Sequence, residues 1–493
     1  MRGLTTKDGR MLLQLVGGVQ GNGRGQSFRV LEPSSGKLLT ECPSATAEDV
    51  NEAVTRASAA QKQWATMDTL SRGTVLRKTA ELLKKNCEDL VYWECRDSGK
   101  PIYEARMDVM SCVDTFNYYS GAGQSLVGNY VTLSTGRYAY TTKEPLGVVG
   151  CVGAWNYPIQ TCTWKTAPAL ICGNAVVYKP SPLTPVTAVI LGQLLQEAGL
   201  PDGVFNVIQG GAETGRELVE HPLVKKVSFT GSIPTGKAIM TACAARNIKP
   251  VTLELGGKSS LIIFDDVDVD DAVAGAMMAN FFSQGQVCSN ASRVLVHESI
   301  LSEFQKRVVE RTKAMKVSDP FDELTKVGTA ISEEHREKVE GYIKDAVANG
   351  AKILCGGERI RPEGLEDGFY LSPCILADVN QSQNAYSEEI FGAVMMIIPF
   401  KTEEEALRIA NDTDTGLAGG VFTSDLSRAH RVSSQIHAGN IYINSYNDVS
   451  PFVPFGGFNQ SGFGRENGPD ALNHYTQVKS VFVNATFPLE NPF

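Results

Sequence analysis

"VKKVSFTGSIPTGKAIMTACAARNIKPVTLELGG" (residues 224–257) reads as a strand, a glycine-bearing turn, a helix and a second strand. β-branched and aromatic residues fill KKVSFTG, small helix formers fill TGKAIMTACAARN, and VTLELGG returns to the strand pattern. Two strands joined through a helix run parallel, so the stretch is one βαβ unit. Outward from it, the same alternation covers residues from about 145 to 262: strand LGVVGCVG, helix TWKTAPALI, strand NAVVYKP, helix TAVILGQLLQEAGL, strand VFNVIQG and helix TGRELVEHP come first. Such a series builds a parallel sheet covered on both faces, which takes ligands at the carboxyl ends of its strands.

A second series begins with SLIIF, the helix DVDDAVAGAMMANFFSQ (268–284) and the strand RVLVHES, and continues in KVEGYIKDAVANGAKILCGG. The expected fold is α/β, with two Rossmann-like lobes of parallel strands meeting near residue 256. Residues 45–120 read as mainly helical, and LVGNYVTLSTGRYAYTTKEP (126–145) alternates like a hairpin. Together with the β-like tail TQVKSVFVNA (476–485), that hairpin reads either as a subunit-bridging arm or as an ordinary edge sheet. The expected division is a first domain of residues 1–125 and 146–256, a second of 257–470, and a small β segment of 126–145 and 471–493.

A chain of 493 residues exceeds the size at which one core keeps growing, in keeping with several domains. Its 42% hydrophobic and 20% charged residues describe a globular protein and exclude collagen-like and disordered classes. A net charge of −9, with no basic stripe, argues against nucleic acid and acidic membranes as partners. The eleven cysteines contain no CxxC pair, so they read as reduced thiols of a reducing, cytoplasmic compartment. The six histidines form no HExxH or His/Cys cluster, and no metal site is expected. The N-terminal MRGLTTKDGRMLLQLVGGV has too short an apolar run, broken by Gln14, to serve as a signal peptide, and no stretch is long enough for a membrane span.

FTGSIPTGKA (229–238) places backbone N–H groups at a helix start, where they can face a phosphate. Gly231, Gly236 and Lys237 have the spacing of a Walker A loop, but the next residue is Ala238, which has no hydroxyl for Mg²⁺. Alone, such a turn serves tight packing as well as it serves phosphate binding, and the lobe has no strict GxGxxG. Lys179, at the end of NAVVYKP, stands where an ammonium would meet a ligand at the sheet edge, and its alternative is a surface lysine. In NFFSQGQVCSN (280–290), Cys288 lies among small polar residues between a helix and a strand, whereas Cys112, Cys162 and Cys243 follow apolar helical patterns that predict burial. A nucleophilic thiol also needs a base or a positive field and donors for the oxyanion it creates. Glu254 ends a strand just before two glycines at the lobe boundary, and Asn156 follows a strand end in GAWNYP. Taken singly, each is an ordinary carboxylate or turn residue.

Together, FTGSIPTG, VTLELGGKS, NFFSQGQVCSN, AWNYPIQ, EEIFG and PFGGFNQSGFGRENG stand in the order and spacing of the NAD(P)-dependent aldehyde dehydrogenase superfamily, which the chain resembles from about residue 25 onward. KVSFTGSIPTGK and AWNYPIQTCTWKTAPALICGNAVVYKPSPLTPV are most similar to the trimethylaminobutyraldehyde and betaine aldehyde dehydrogenases. The resemblance implies an NAD-binding first domain, a catalytic second domain and a homotetramer bridged by the β segment. It implies Cys288 as nucleophile, Asn156 as oxyanion donor, Glu254 as base for thioester hydrolysis, and Lys165 and Glu466 as a proton relay. Trp155, Lys179, Gly211, Ser232, Gly236, Glu389 and Phe391 would hold NAD, with Glu389 on the nicotinamide ribose. Tyr157, Trp164, Phe282 and Phe455 match an aromatic substrate pocket whose ring faces would attract a quaternary ammonium.

Three departures from the family pattern carry expectations. Pro182 stands where many NAD-preferring relatives have a ribose-binding Glu, which leaves NADP less firmly excluded. Ala393 replaces a usual Pro and is expected to loosen the loop of Glu389. Met110 stands where aminoaldehyde-oxidising relatives tend to have an acid, with Asp108 and Asp114 expected to compensate in part. Glu254 speaks for water rather than coenzyme A as acyl acceptor, and retention of Cys288, Asn156 and Glu254 speaks against a non-enzymatic relative. A broad-specificity aliphatic aldehyde dehydrogenase is the alternative on substrate.

Overall fold

The computed structural model describes residues 11–486. The ends of the expected domains, residues 1–10 and 487–493, lie outside the described residues. The chain opens with the short strands β1 (Gln14–Val16) and β2 (Val19–Gly21) and the hairpin β3 (Ser27–Leu31) and β4 (Leu38–Pro43). Four helices follow: α1 (Ala47–Thr66), α2 (Thr69–Lys85), α3 (Cys87–Ser98) and α4 (Ile102–Ala122). Local chemistry fixes their ends. Thr46 and Asp49 form a reciprocal capping box at α1, Asp68 caps α2, and Gly99, at φ 76°, closes α3 in the left-handed conformation that glycine adopts without strain.

β5 (Tyr130–Ser134) and β6 (Arg137–Pro145) form the expected hairpin. The βαβ series then runs β7 (Val148–Val152), α5 (Pro158–Ile171), β8 (Ala175–Lys179), α6 (Val186–Glu197), β9 (Phe205–Val207), α7 (Ala212–Glu220), β10 (Val224–Gly231), α8 (Ile233–Arg246) and β11 (Val251–Leu255). β7, β8, β10 and β11 are parallel and central in a sheet ordered β2-β1-β9-β8-β7-β10-β11. Every residue of β7 and β8 is buried, which is why these strands read as continuous apolar runs rather than alternating ones.

The second lobe starts at β12 (Ser260–Ile263) and α9 (Val269–Phe281). α9 was expected to run through Gln284 but stops at Phe281, because Ser283 and Gln284 take φ of 50° and 56° and Gly285 takes 72°. Three left-handed residues in a row cannot continue a right-handed helix. β13 (Arg293–His297), α10 (Leu301–Lys313), α11 (Glu333–Ala348), β14 (Lys352–Cys355), β15 (Cys374–Ala377), α12 (Asn384–Ser387), β16 (Val394–Phe400), α13 (Glu403–Ala410), β17 (Thr415–Gly416), β18 (Ala418–Phe422), α14 (Leu426–Ser433) and β19 (Asn440–Ile443) complete it. Its sheet, ordered β14-β15-β16-β13-β12-β18-β19, is parallel except at β14.

The chain then turns back. β20 (Phe458–Asn459) pairs with β17, and β21 (Gly462–Phe463) adds antiparallel to β11 as the last strand of the first sheet, placing Gly462 opposite Glu254. α15 (Asp470–Asn473) docks Ala471 and Leu472 into the first lobe's core. Finally β22 (Thr476–Asn484) pairs with β6 along its length, so the hairpin becomes a three-stranded sheet. β1, drawn from the signal-like stretch, is part of the first sheet.

Candidate active site

A cavity of about 700 Å³ opens at the carboxyl ends of β7, β8, β10 and β11 and is closed from the other side by the second lobe. Trp155, Asn156, Lys179, Gly211, Ser232, Glu254, Cys288, Glu389 and Phe391 all line it. Gly236 does not. It lies buried in α8, where a Cβ would press on the Leu255 side chain, so this glycine lets the helix sit close to β11 rather than meeting a ligand. Arg216, His335 and Lys338 also line the cavity, although the sequence reading did not single them out. His335 and Lys338 come from α11 of the other lobe, and the only sequence signal for them is their i, i+3 spacing on a helix whose N-cap is Ser332.

Two helix starts face this space. Gly211 caps α7, and a Cβ there would meet nothing within 4 Å. Ser232 caps α8, its hydroxyl accepting from the Thr235 N–H at 3.4 Å. Free N–H groups and the dipole at such ends favour an anion. Lys179 is buried, donates to the carbonyls of Pro180 (2.9 Å) and Gly210 (2.8 Å), and has its pKa lowered to about 8 by burial. Pro182 and Ser181 lie beside it, and the cavity's only carboxylates are Glu254 and Glu389. Glu389 is half-buried, accepts from the Gly257 N–H at 3.2 Å, and is pushed up to about 7 chiefly by desolvation of its carboxyl group. A cavity of this size, lined by two anion-favouring helix starts and by the half-buried Glu389 carboxylate, fits a dinucleotide.

The loop carrying Glu389 is tied at several points around Ala393. Tyr342 donates to Glu388 (2.5 Å), Lys258 donates to the Glu388 carbonyl (2.7 Å), and His335 bonds the Phe391 carbonyl (2.8 Å). Trp155 meets the Phe391 ring edge-on at 5.1 Å, and the Ala393 carbonyl accepts from the Cys374 N–H at 2.8 Å. These ties do the fixing that a proline would otherwise supply by its φ.

Cys288 is half-buried at the inner end of the cavity, whereas Cys112, Cys162 and Cys243 are buried as their patterns predict. Burial, reinforced by the negative charges of Glu389 and Glu254, pushes the Cys288 thiol up to about 12, and the backbone N–H groups of Cys288 and Ser289 oppose the shift by pointing at the sulfur. The thiol is therefore protonated at neutral pH until a base or positive charge arrives. Asn156 donates one amide hydrogen to the Gln286 carbonyl at 2.9 Å, which fixes its plane and leaves the second hydrogen for another acceptor.

Glu254 ends β11 fully enclosed, and both its oxygens lack a hydrogen-bond partner. Desolvation first, then the charge of Glu466, holds its pKa well above the ordinary carboxylate range. Gly456 makes room for it, since a Cβ there would crowd the Glu254 Oε1. Behind it, Lys165 of α5 and Glu466 form a buried ion pair at 2.6 Å, and Ser228 bonds both. Glu466 reaches this place because β21 returns the chain to the first sheet. Its backbone pairs with Phe455, at 2.7 and 2.8 Å.

Outside the residues that line the cavity, Trp164, Leu417 and Phe455 form a small apolar cluster against Cys288, with Trp164 and Phe455 rings 5.5 Å apart. Tyr157 lies near Cys288 and Ser283, but the Lys100 ammonium sits 4.4 Å from its ring centroid. Phe282 is half-buried at the start of the left-handed turn. The expected compensation by Asp108 and Asp114 fails. Asp108 is buried in an ion pair with Lys100, and Asp114 is exposed on α4.

Among the described residues there is no group of three or more His, Cys, Asp or Glu suited to a metal, and no helix long and apolar enough to cross a membrane. The aldehyde dehydrogenase family model matches residues 19–481. Over 458 residues the chain is 48% identical to 4-trimethylaminobutyraldehyde dehydrogenase of Homo sapiens, covering 92% of each chain. It is 49% identical to 4-trimethylaminobutyraldehyde dehydrogenase A of Danio rerio over 456 residues, 92% of this chain and 90% of that one. Betaine aldehyde dehydrogenase of Staphylococcus aureus, solved in complex with NAD+, superposes with a TM-score of 0.95 at 36% identity, covering 98% of this chain and 96% of that one. A thiol, an amide and a buried carboxylate gathered at the end of a dinucleotide-shaped cavity are what the matched motifs require, and the chain belongs to the aldehyde dehydrogenase family.

Proposed function

We propose that the protein oxidises an aldehyde to its carboxylic acid with NAD, and that aldehydes carrying a trimethylammonium group are its preferred substrates. The observation that carries the reading is the position of Cys288, which both lines the cavity and packs against the Trp164–Phe455 cluster. An aldehyde entering from the aromatic side meets the sulfur at the place where the cofactor cavity ends. The relatives named 4-trimethylaminobutyraldehyde dehydrogenase support the substrate, and the relative solved with NAD+ supports the cofactor.

Gly211, Ser232, Lys179, Glu389 and Phe391 would hold NAD, which would supply the acceptor for a hydride. Cys288 gives its proton to water in the cavity and attacks the carbonyl carbon: a C–S bond forms, the carbonyl π pair moves to oxygen, and the Asn156 amide and the Cys288 N–H stabilise that oxyanion. Loss of hydride from the same carbon leaves a thioester. Glu254, ionised for this step, takes a proton from water as the water oxygen bonds to the acyl carbon; the C–S bond then breaks and the thiolate leaves. Lys165 and Glu466 pass the proton on from Glu254. Burial raises the pKa of Glu254, which makes its carboxylate a stronger base than an ordinary one.

The reading extends to assembly and place. β5, with Tyr130, Val131 and Leu133, and β22, with Val478 and Phe482, expose apolar side chains on one three-stranded sheet, which supports a homotetramer bridged there. Eleven free thiols support a reducing, cytoplasmic location.

A second reading has its own observation. With Lys100 over Tyr157, one ring of the expected cation pocket already carries a positive charge, which favours an uncharged aliphatic aldehyde. NADH formation from trimethylaminobutyraldehyde, betaine aldehyde, aminobutyraldehyde and simple alkanals, with NAD and NADP compared, separates the two. A higher kcat/KM for trimethylammonium substrates supports the first reading, and parity with alkanals overturns it.

A further inference from the structure

Beneath the thiol loop lies a buried charged cluster that the mechanism does not use. Lys100, at the entry to α4, is enclosed by Glu94, Asp108 and Glu104, all four nearly without exposure. Lys100 donates to the backbone carbonyl of Asn156 at 2.9 Å, besides its bonds to Asp108 and its approach to Glu94 at 3.7 Å. Glu104, in the first turn of α4, accepts from the Ser283 N–H at 3.0 Å and from the Tyr103 hydroxyl at 2.8 Å through one oxygen, while its other oxygen is buried without a partner. Ser283 is the first of the three left-handed residues, and five residues later comes Cys288.

A serine and a glutamine at φ near +50° are strained and persist only where their surroundings over-determine them. Within the loop, the Gln286 N–H donates to the Ser283 carbonyl at 2.9 Å; the other ties come from outside it, among them the Asn156 amide, which donates to the Gln286 carbonyl at 2.9 Å. Gly285 abuts the Gly392 backbone with no room for a side chain, Gln286 accepts from the Ile331 N–H at 2.9 Å through its side chain, and Glu104 holds the Ser283 N–H. Burying that N–H with no acceptor would remove the reason for the turn.

We propose that Glu104 is a positioning residue for the acylation step: it clamps the left-handed turn that aims Cys288, while Lys100 in the same cluster holds the backbone of the oxyanion donor Asn156. One cluster, drawn from α3, the α3–α4 connection and the start of α4, thus sets both partners of the carbonyl, the attacking sulfur and the amide that receives its oxygen. Displacing a nucleophile by about an ångström costs on the order of 10²-fold in rate, which sets the scale of the effect. The proposal rests on the reading of Cys288 as the nucleophile.

The test compares Glu104→Gln, which keeps an acceptor for the Ser283 N–H, with Glu104→Met, which removes it, and Glu104→Asp, which keeps the charge but shortens the reach by one methylene. Two readouts are taken in the full-length protein: the rate of Cys288 alkylation by iodoacetamide without aldehyde or cofactor, and the rate constant of the NADH burst at saturating substrate. Met and Asp should slow both by tenfold or more with KM for NAD unchanged, and Gln should recover most of the loss. If Met fails to fold, Asp carries the comparison. A folded Met or Asp variant that alkylates and acylates at the wild-type rate overturns the clamp, and so does a Gln variant as slow as Met. Alkylation needs no turnover, so loss of the clamp and failure of the aldehyde reading remain distinguishable.

Discussion

Replacing Glu254 by Gln isolates the second half of the reaction. The side chain is enclosed, neither oxygen has a partner, and burial with the nearby Glu466 charge holds it protonated well above the ordinary carboxylate range. Below the ordinary carboxylate value the change swaps one neutral, unpartnered group for another of the same shape, so the fold should be little altered at low pH. A carboxyl group whose folded pKa is raised binds its proton more tightly in the folded state. Its favourable contribution is complete below about 4.5, the ordinary value, and is lost as pH rises from there through the folded pKa. The wild type should thus lose stability relative to Glu254→Gln as pH climbs above about 4.5, a trend followed by thermal midpoints. Catalytically, a positioned general base contributes about 10²–10⁴-fold, or about 3–5 kcal/mol of barrier. That loss falls on thioester hydrolysis, because Asn156 and the Cys288 N–H, which serve the first half, are untouched. Stopped-flow NADH absorbance should show a burst approaching one equivalent per active site, followed by a steady rate reduced at least a hundredfold. Loss of the burst together with turnover would refute the assignment and make Glu254 the base for thiol activation as well.

Glu389→Gln removes a negative charge beside the sulfur, so the pKa of the Cys288 thiol should fall from about 12, seen as faster iodoacetamide alkylation at a given pH between 7 and 10; an unchanged rate–pH curve would contradict the charge argument. Lys165→Met leaves the buried Glu466 carboxylate without its 2.6 Å partner and should destabilise by about 3–5 kcal/mol, whereas Lys165→Met with Glu466→Leu should recover most of the loss in thermal denaturation. Phe482→Asp puts a charge where a 74% exposed ring stands on the arm sheet, and light scattering should show a smaller assembly with the protomer's fold intact by circular dichroism.

The parallel framework was legible because buried parallel strands are apolar throughout and the helices between them are amphipathic. Cys288, Asn156 and Glu254 were legible because each ends or follows an element that a motif marks. What escaped was everything made by long-range return of the chain. His335 and Lys338 reach the cavity from α11, and no local pattern marks them; Glu466 and Lys165, 301 positions apart, were paired only through the family resemblance, because their meeting depends on β21 adding to β11. Lys100, Glu104 and Asp108 were hidden for a different reason: polar residues at the start of α4 look like a solvated helix face, and their burial depends on packing that no local pattern records. The same burial overturned Asp108 as a substrate contact. The end of α9 was misjudged because FFSQ fits a helix by composition, while the turn is imposed by the backbone of Gly392 and the acceptor on Glu104.

The covalent step can be caught on the residue itself. Glu254→Gln is mixed with trimethylaminobutyraldehyde and NAD, quenched in acid during the steady state, digested and analysed by mass spectrometry. The account predicts an acyl adduct, the aldehyde's mass less two hydrogens, on the peptide containing Cys288 and absent from Cys288→Ala. An unmodified Cys288 peptide during turnover, or the same adduct on another residue, would contradict it.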